Sequence, residues 1–294
     1  MKKSMAIFAL FLAAFTWGSA FCVLKDTLEN VSPIWLLAFR FLLAGIIMTL
    51  VCIPRMKKMS IRTLKRGIIM GIVLYFEFLF FTVGLQYTTS SKSSFIIGSY
   101  VAILPFIYWV IRRKKPQRAD ILAALVCIVG LGFILLGSFD GVNKGDLISL
   151  LSAVCYAIHI VVTGIFAREE DGFLLNMLQI GTGGILGLVA AMILEPHPAV
   201  MSGMNIGSIA YLAVFCTVVP YLLSVFGQKY VKTSTSGVIL SFESVFGCIL
   251  SILILGEHPG VRFVIGAMLM MCSFLIVEKI SLPLPKRVAV KAEK

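Results

Sequence analysis

Charge is what this sequence has least of: Asp, Glu, Lys and Arg make up 14% of its 294 residues, against about 25% in soluble domains. A soluble fold of this length must clothe its surface in polar groups, so the shortage excludes one and makes lipid the solvent. Histidine is scarce as well. His159, His197 and His258 stand at no Ser/His/Asp or metal-ligand spacing, which leaves hydrolase and metal chemistry without a constellation. The seven cysteines form no CxxC and no Cys/His cluster, so neither a disulfide framework nor a thiolate metal site is expected. No GxxxxGK[ST] run is present and no segment is large enough for a nucleotide-hydrolysing domain. No cofactor is expected.

What is there is apolar and comes in blocks: 59% of the residues are hydrophobic and mean hydropathy is +1.00. The blocks run near the length that crosses about 30 Å of hydrocarbon. Ten spans follow: 4–24, 33–54, 66–86, 93–111, 119–138, 147–167, 173–194, 207–228, 236–256 and 261–279. The first block is read as a span and not as a cleaved leader, because another span follows directly. The net charge of +12 would suit nucleic acid, but the basic residues sit in short loops between blocks, so no nucleic acid is expected. Those loops set orientation. With the N-terminus inside, only Lys25, Lys92, Lys144 and Arg262 face out and Arg40 lies within a span, leaving 21 of the 26 basic residues inside. Both termini are expected in the cytoplasm, in a bacterial inner membrane.

The chain repeats itself weakly. At an offset of 143, Tyr87 pairs with Tyr230, Ser91 with Ser234, Ser93 with Ser236, Tyr100 with Glu243 and Pro116 with Pro259. Earlier, an offset of 139 pairs Trp17 with Tyr156 and Arg40 with Gln179. Each half holds five spans, an odd number, so the second enters the membrane inverted. Inverted repeats are a transporter signature, with substrate bound near the midplane between the halves. The expected fold is all-α and integral to the membrane, ten transmembrane helices as two inverted five-helix repeats. The units are 1–138, 139–280 and a disordered cytoplasmic tail, 281–294.

Span 1 reads Phe15-Thr16-Trp17-Gly18-Ser19-Ala20-Phe21, span 2 carries Ala38-Phe39-Arg40-Phe41, and span 9 runs from Thr233-Ser234-Thr235-Ser236-Gly237 through Phe242-Glu243-Ser244-Val245 to Leu255-Gly256-Glu257. Over essentially its whole length the chain resembles the EamA branch of the drug/metabolite transporter superfamily. Two features depart from that pattern: Ser244 stands where Pro often follows the span 9 glutamate, and Lys114 matches Glu257 in the first half. The resemblance implies ten spans in two inverted repeats and transport, often export, of small polar or amphiphilic metabolites, including amino acids.

Polar groups at membrane depth are costly, which makes each a functional candidate. Glu77 lies mid-span amid Tyr75, Phe76, Phe78, Phe80 and Phe81; it could attract a substrate amine, carry a coupling proton, or be a structural carboxyl. Glu243 shares a helical face with Ser236 and Gly247; it faces a substrate or locks span 9. Arg40 holds a substrate carboxylate in paired hydrogen bonds or pairs with Glu77 or Glu243. Ser152, Tyr156, His159 and Thr163 form one helical stripe; Thr217, Tyr221, Ser224 and Gln228 form another. Each lines a wet cavity or packs against other helices, and His159 is a proton carrier or a hydrogen-bonded packing residue. Trp17 with Ala20 walls the pocket or packs. Pro220 aligns with Glu77 and kinks span 8. The GxxxG pairs Gly67/Gly71 and Gly183/Gly187 allow close helix approach.

The candidate substrate-binding residues are therefore Trp17, Arg40, Glu77, Tyr100, Tyr156, His159, Gln179, Tyr221 and Glu243. They would surround a central cavity lined by spans 1–4 and 6–9, with spans 5 and 10 peripheral. The expected function is secondary active transport, in the export direction, of amine-bearing metabolites such as amino acids by alternating access. The expected partners are a small-molecule substrate, the bilayer and a coupling proton, with the chain a monomer or homodimer. The competing readings are a membrane-embedded lipid-modifying enzyme, which needs an interfacial catalytic constellation, and a channel, which needs a repeated pore ring.

Overall fold

A computed structural model of the chain describes residues 2–136, 142–195 and 202–281, with side chains placed to 276. The boundary between 138 and 139, His197 and the tail after Ser281 lie outside the described residues. The helices are α1 (Lys2–Thr27), α2 (Pro33–Cys52), α3 (Ile61–Gln86), α4 (Ser90–Gly98), α5 (Tyr100–Arg112), α6 (Arg118–Leu136), α7 (Lys144–Phe166), α8 (Gly172–Leu194), α9 (Gly203–Ala213), α10 (Val219–Tyr230), α11 (Thr233–Leu240), α12 (Phe242–Leu255) and α13 (Val261–Ser281). A 3₁₀ turn, Ile53–Lys58, follows α2, and a π turn, Val214–Val218, joins α9 to α10. Among the described residues, nine continuous or nearly continuous segments are long and apolar enough to cross a membrane, and α13 adds a tenth, shorter apolar stretch. α4–α5 make up span 4, α9–α10 span 8 and α11–α12 span 9. The fold is an all-α, ten-helix membrane fold.

Several helices begin earlier than the apolar blocks do. Span 3 starts at Ile61 instead of 66, and span 4 at Ser90 instead of 93. The reason is capping. Ser60 accepts from the Thr63 amide and Thr89 from the Lys92 amide, while Asn143 and Asp146 cap α7 reciprocally. Each cap carries the helix through a polar turn that hydropathy does not count.

The packing is consistent with two inverted repeats, because helix contacts between the halves come in mated pairs. α1 packs on α10 as α7 packs on α3; α3 packs on α8 as the α9–α10 span packs on α2. Single positions show the same symmetry. A Cβ added at Gly84 would meet the Gly145 carbonyl oxygen at 3.1 Å, and one at Gly227 would meet the Ala6 carbonyl oxygen at 3.1 Å; these two contacts are related by the 143 and 139 offsets. Between α2 and α8, Gly45 lies against Gly181 and Gly184 against Leu42, again one contact seen twice. The GxxxG glycines all serve packing within the chain: Gly67 and Gly71 meet Leu178 and Thr182, and Gly183 and Gly187 meet Phe41 and Ala38.

α6 and α13 pair at the periphery, and α6 is the least buried of the nine long segments. A Cβ at Gly130 would lie 2.8 Å from the Gly266 carbonyl oxygen, so Gly130→Val must push the two backbones apart. We expect it to cost about 1–3 kcal/mol by overpacking, read as a lower melting temperature in detergent. Gly132→Val, whose added Cβ meets nothing within 4 Å, is the control expected to leave the melting temperature unchanged.

Candidate functional site

Two broken helices aim side chains at the centre. Span 4 is interrupted at Ser99 and span 9 at Ser241. Each serine hydroxyl donates back to the carbonyl three residues earlier, Ser99 to Ile96 at 2.6 Å and Ser241 to Val238 at 2.7 Å, a bond that bends helices. Tyr100 and Glu243, mates in the repeat, follow the breaks by one and two residues. Interrupted helices at corresponding places in two halves mark the binding region of inverted-repeat transporters. The pattern of apolar blocks carried no sign of these breaks; the serines at 99 and 241 were the available signal.

The π turn in span 8 has a local cause. Pro220 has no N–H to donate to the carbonyl four residues back, which frees the Cys216 oxygen. Arg40 takes it: Nη2 donates to Cys216 O at 2.7 Å and Nε to Thr217 Oγ1 at 2.8 Å. The guanidinium lies 4.7 Å from the Phe78 ring centroid, a cation–π distance. Neither Glu77 nor Glu243 forms an ion pair with it among the described residues. Pro220→Ala returns the N–H, and we expect the helix to recapture the Cys216 carbonyl. Arg40 would then lose one of its two anchors, and ligand affinity would fall by about fivefold or more with little change in melting temperature.

Between the halves lies a cavity of about 30 Å³, lined by Trp17, Ala20, Phe21, Arg40, Glu77, Phe78, Phe81, Ile97, Ser152, Tyr156 and Glu243. About one water fills it, so this is a closed state. Five of the nine candidates line it: Trp17, Arg40, Glu77, Tyr156 and Glu243. The other four stand one layer back. Tyr100 packs against Tyr156 with ring centroids 4.3 Å apart and planes tilted by 46°, and donates to Gly237 O at 2.8 Å. Tyr221 packs edge-on to Trp17 at 5.0 Å and against His159 at 5.7 Å. His159 and Gln179 are joined through Nε2 and Oε1 at 2.8 Å. Spans 7 and 8 thus back the cavity and do not line it, because the wide rings of span 1 and span 6 reach the centre first: Trp17 and Tyr156, also mates, meet edge to face at 6.0 Å.

A chain of amides fixes the proton on His159. Asn176 Nδ2 donates to Tyr221 O at 3.2 Å, so Asn176 Oδ1 must accept from Gln179 Nε2, and Gln179 Oε1 must then accept. His159 Nε2 is therefore the donor, and in the neutral ring Nδ1 carries the lone pair. Nδ1 stands 3.6 Å from Glu77 Oε2. A bare nitrogen facing a carboxylate is repulsive, so one proton between them makes the contact favourable. Glu77 Oε2, Glu243 Oε1, Arg40 Nη1, Trp17 Nε1 and Tyr221 Oη are buried without a hydrogen-bond partner. Glu243 Oε2 accepts from Tyr156 Oη at 3.3 Å. Buried polar atoms without a protein partner are expensive.

Similarity to known proteins identifies the scaffold. The family model of the EamA-like transporters matches twice, over residues 4–136 and 143–278. The chain belongs to the EamA-like transporter family. This EamA-like chain is 30% identical over 277 residues to a transporter of Archaeoglobus fulgidus, covering 94% of this chain and 87% of that one. It is 27% identical to the S-adenosylmethionine/S-adenosylhomocysteine transporter of Chlamydia muridarum, covering 94% and 93%, and 26% identical to the transporter YyaM of Bacillus subtilis, covering 88% of each. A solved crystal structure superposes with a TM-score of 0.72 over 95% of this chain and 98% of that one, at 15% identity, which speaks to the fold alone. The EamA-like protein is a multi-pass secondary transporter of the drug/metabolite type and not an enzyme.

Proposed function

We propose that the protein moves small amine-bearing metabolites, amino acids first among them, outward across a cell membrane by alternating access around the central cavity. What carries this reading is the charge set there. Two carboxyl groups each keep an oxygen unpartnered, beside one guanidinium with a spare Nη1. An α-amino acid offers an ammonium for the first and a carboxylate for the second. The side chain would rest among Trp17, Phe21, Phe78 and Tyr156. The cavity must widen to admit it, since small-molecule sites hold about 300–1,000 Å³, and rocking one repeat against the other supplies that change. The distribution of Lys and Arg supports cytoplasmic termini.

The Glu77–His159 pair supplies the proton site of this proposal. A substrate ammonium reaching Glu77 displaces the shared proton, which couples the two fluxes. S-adenosylmethionine is a second reading: it joins an amino-acid end to a sulfonium cation and a flat base, and an aromatic-walled cavity with two carboxyl groups to one guanidinium suits that extra positive charge.

The test is a thermal-shift series on purified protein with amino acids, polyamines, nucleosides and S-adenosylmethionine, followed by flux into liposomes of whichever class shifts it. A ligand of the folded state raises apparent stability. Shifts with α-amino acids or S-adenosylmethionine support the reading; shifts only with compounds lacking an amine overturn it.

A further inference from the structure

Each end of the molecule carries a cavity at the same place in the repeat. One, at the end expected outside, is lined by Lys25, Ser91, Glu257 and His258, among others. The other, at the opposite end, has a volume of about 420 Å³ and is lined by Lys114, Lys115, Arg168, Lys232, Thr233, Ser234 and Asp120, with Leu104, Pro105 and Tyr108 as an apolar wall. The 143 offset maps the two linings onto each other: Arg168 on Lys25, Ser234 on Ser91, Lys114 on Glu257 and Lys115 on His258.

The contents differ in sign. In the first cavity the Glu257 carboxylate accepts from the Ser90 amide at 2.8 Å and the Ser91 amide at 3.0 Å, so the chain's own anion fills the slot at the start of α4. In the second the corresponding position holds a lysine, and among the described residues Lys114, Lys115 and Arg168 share the lining with one carboxylate, Asp120. Like charges gathered around a recess repel one another unless a counter-charge joins them.

We propose that this second cavity binds a phosphate-bearing anion, which takes the place that Glu257 fills in the other repeat. Lys114, Lys115 and Arg168 are its counter-charges. The volume falls in the range of about 300–1,000 Å³ of small-molecule sites. The wall of Leu104, Pro105 and Tyr108 beside the cations suits an anionic phospholipid headgroup, whose phosphate meets the lysines while its glycerol end meets the wall. Basic pockets between transmembrane helices recognise such headgroups. A free phosphate carries the same anion without the apolar end.

The experiment uses the full chain in three forms: wild type, Lys114→Gln/Lys115→Gln, and Lys57→Gln/Lys58→Gln. The last removes the same charge from the 3₁₀ turn after α2, away from the cavity. The first arm reads lipid retained by protein purified from mixed phosphatidylglycerol and phosphatidylcholine, by native mass spectrometry. The second reads thermal shift on adding inorganic phosphate, with chloride at equal ionic strength as control, in phosphatidylcholine discs. Wild type should retain phosphatidylglycerol preferentially, and the Lys114/Lys115 variant should lose about tenfold of that preference while the Lys57/Lys58 variant keeps it. A phosphate shift lost in the same variant, without lipid preference, assigns the site to a soluble phosphate instead. Equal losses in both variants, or neither lipid preference nor phosphate shift in wild type, overturn the proposal. The central site is tested by amine ligands, so failure here leaves that reading untouched.

Discussion

Glu77→Gln is expected to lower affinity for an amine substrate by about thirtyfold or more, the effect of about 2 kcal/mol for losing one partner of a buried charge pair. It is also expected to flatten the dependence of transport on a proton gradient. Glutamine keeps the size of the side chain and the hydroxyl bond from Ser152, which goes to the Glu77 backbone, so the fold should survive. The side chain can no longer carry the proton that the proposal assigns to Glu77 and His159, whose Oε2 and Nδ1 are 3.6 Å apart. Glu243→Gln separates the two roles. Its carboxyl touches Tyr156 and the cavity but no histidine, so affinity should fall comparably while proton dependence persists. Liposome flux with and without an imposed pH gradient reads both. Unchanged proton dependence in Glu77→Gln would remove the coupling assignment; unchanged affinity in both variants would remove the amine site.

The second large effect is expected at the end that holds Glu257. There Lys92 Nζ and Asp146 Oδ2 lie 2.6 Å apart, both buried, and Thr88 Oγ1 donates to the same carboxylate at 2.7 Å. This pair ties the start of α4 to the start of α7. Its mates under the offsets are Thr235 and Ile7, so the other end has no such ion pair at that place. Breaking a buried pair from one side costs about 3–5 kcal/mol. Asp146→Asn should therefore lower the melting temperature strongly, and Lys92→Met/Asp146→Asn should recover part of the loss, giving a coupling energy in a double-mutant cycle. Additive losses would show that the pair contributes nothing as a pair.

The spans were legible because lipid imposes a length and a composition, and the repeat was legible because tyrosines, serines and prolines recur at fixed offsets. What hydropathy could not reach were features decided by single hydrogen bonds. The breaks at Ser99 and Ser241 depend on two hydroxyls turning back on their own helices. The placement of Arg40 depends on a carbonyl orphaned by Pro220, so that pairing with a glutamate, one of its two readings, is not seen among the described residues. Glu257 looked asymmetric in sequence and is so in the structure, where it caps α4, half the chain away, while its mate is Lys114. The nine candidate residues do cluster, yet four of them form a second layer, since sequence spacing gives a helix face and not how far a side chain reaches.

The Gly45–Gly181 and Gly184–Leu42 contacts carry a consequence for motion. In an inverted repeat, the two transport states are related by letting each half adopt the other's shape. A contact that maps onto itself under that exchange is the same in both states, and so α2 and α8 form a pivot. Lys92–Asp146 has no ionic counterpart, since its mates Thr235 and Ile7 carry no charge. A disulfide engineered between positions 45 and 181 should therefore leave the protein turning over.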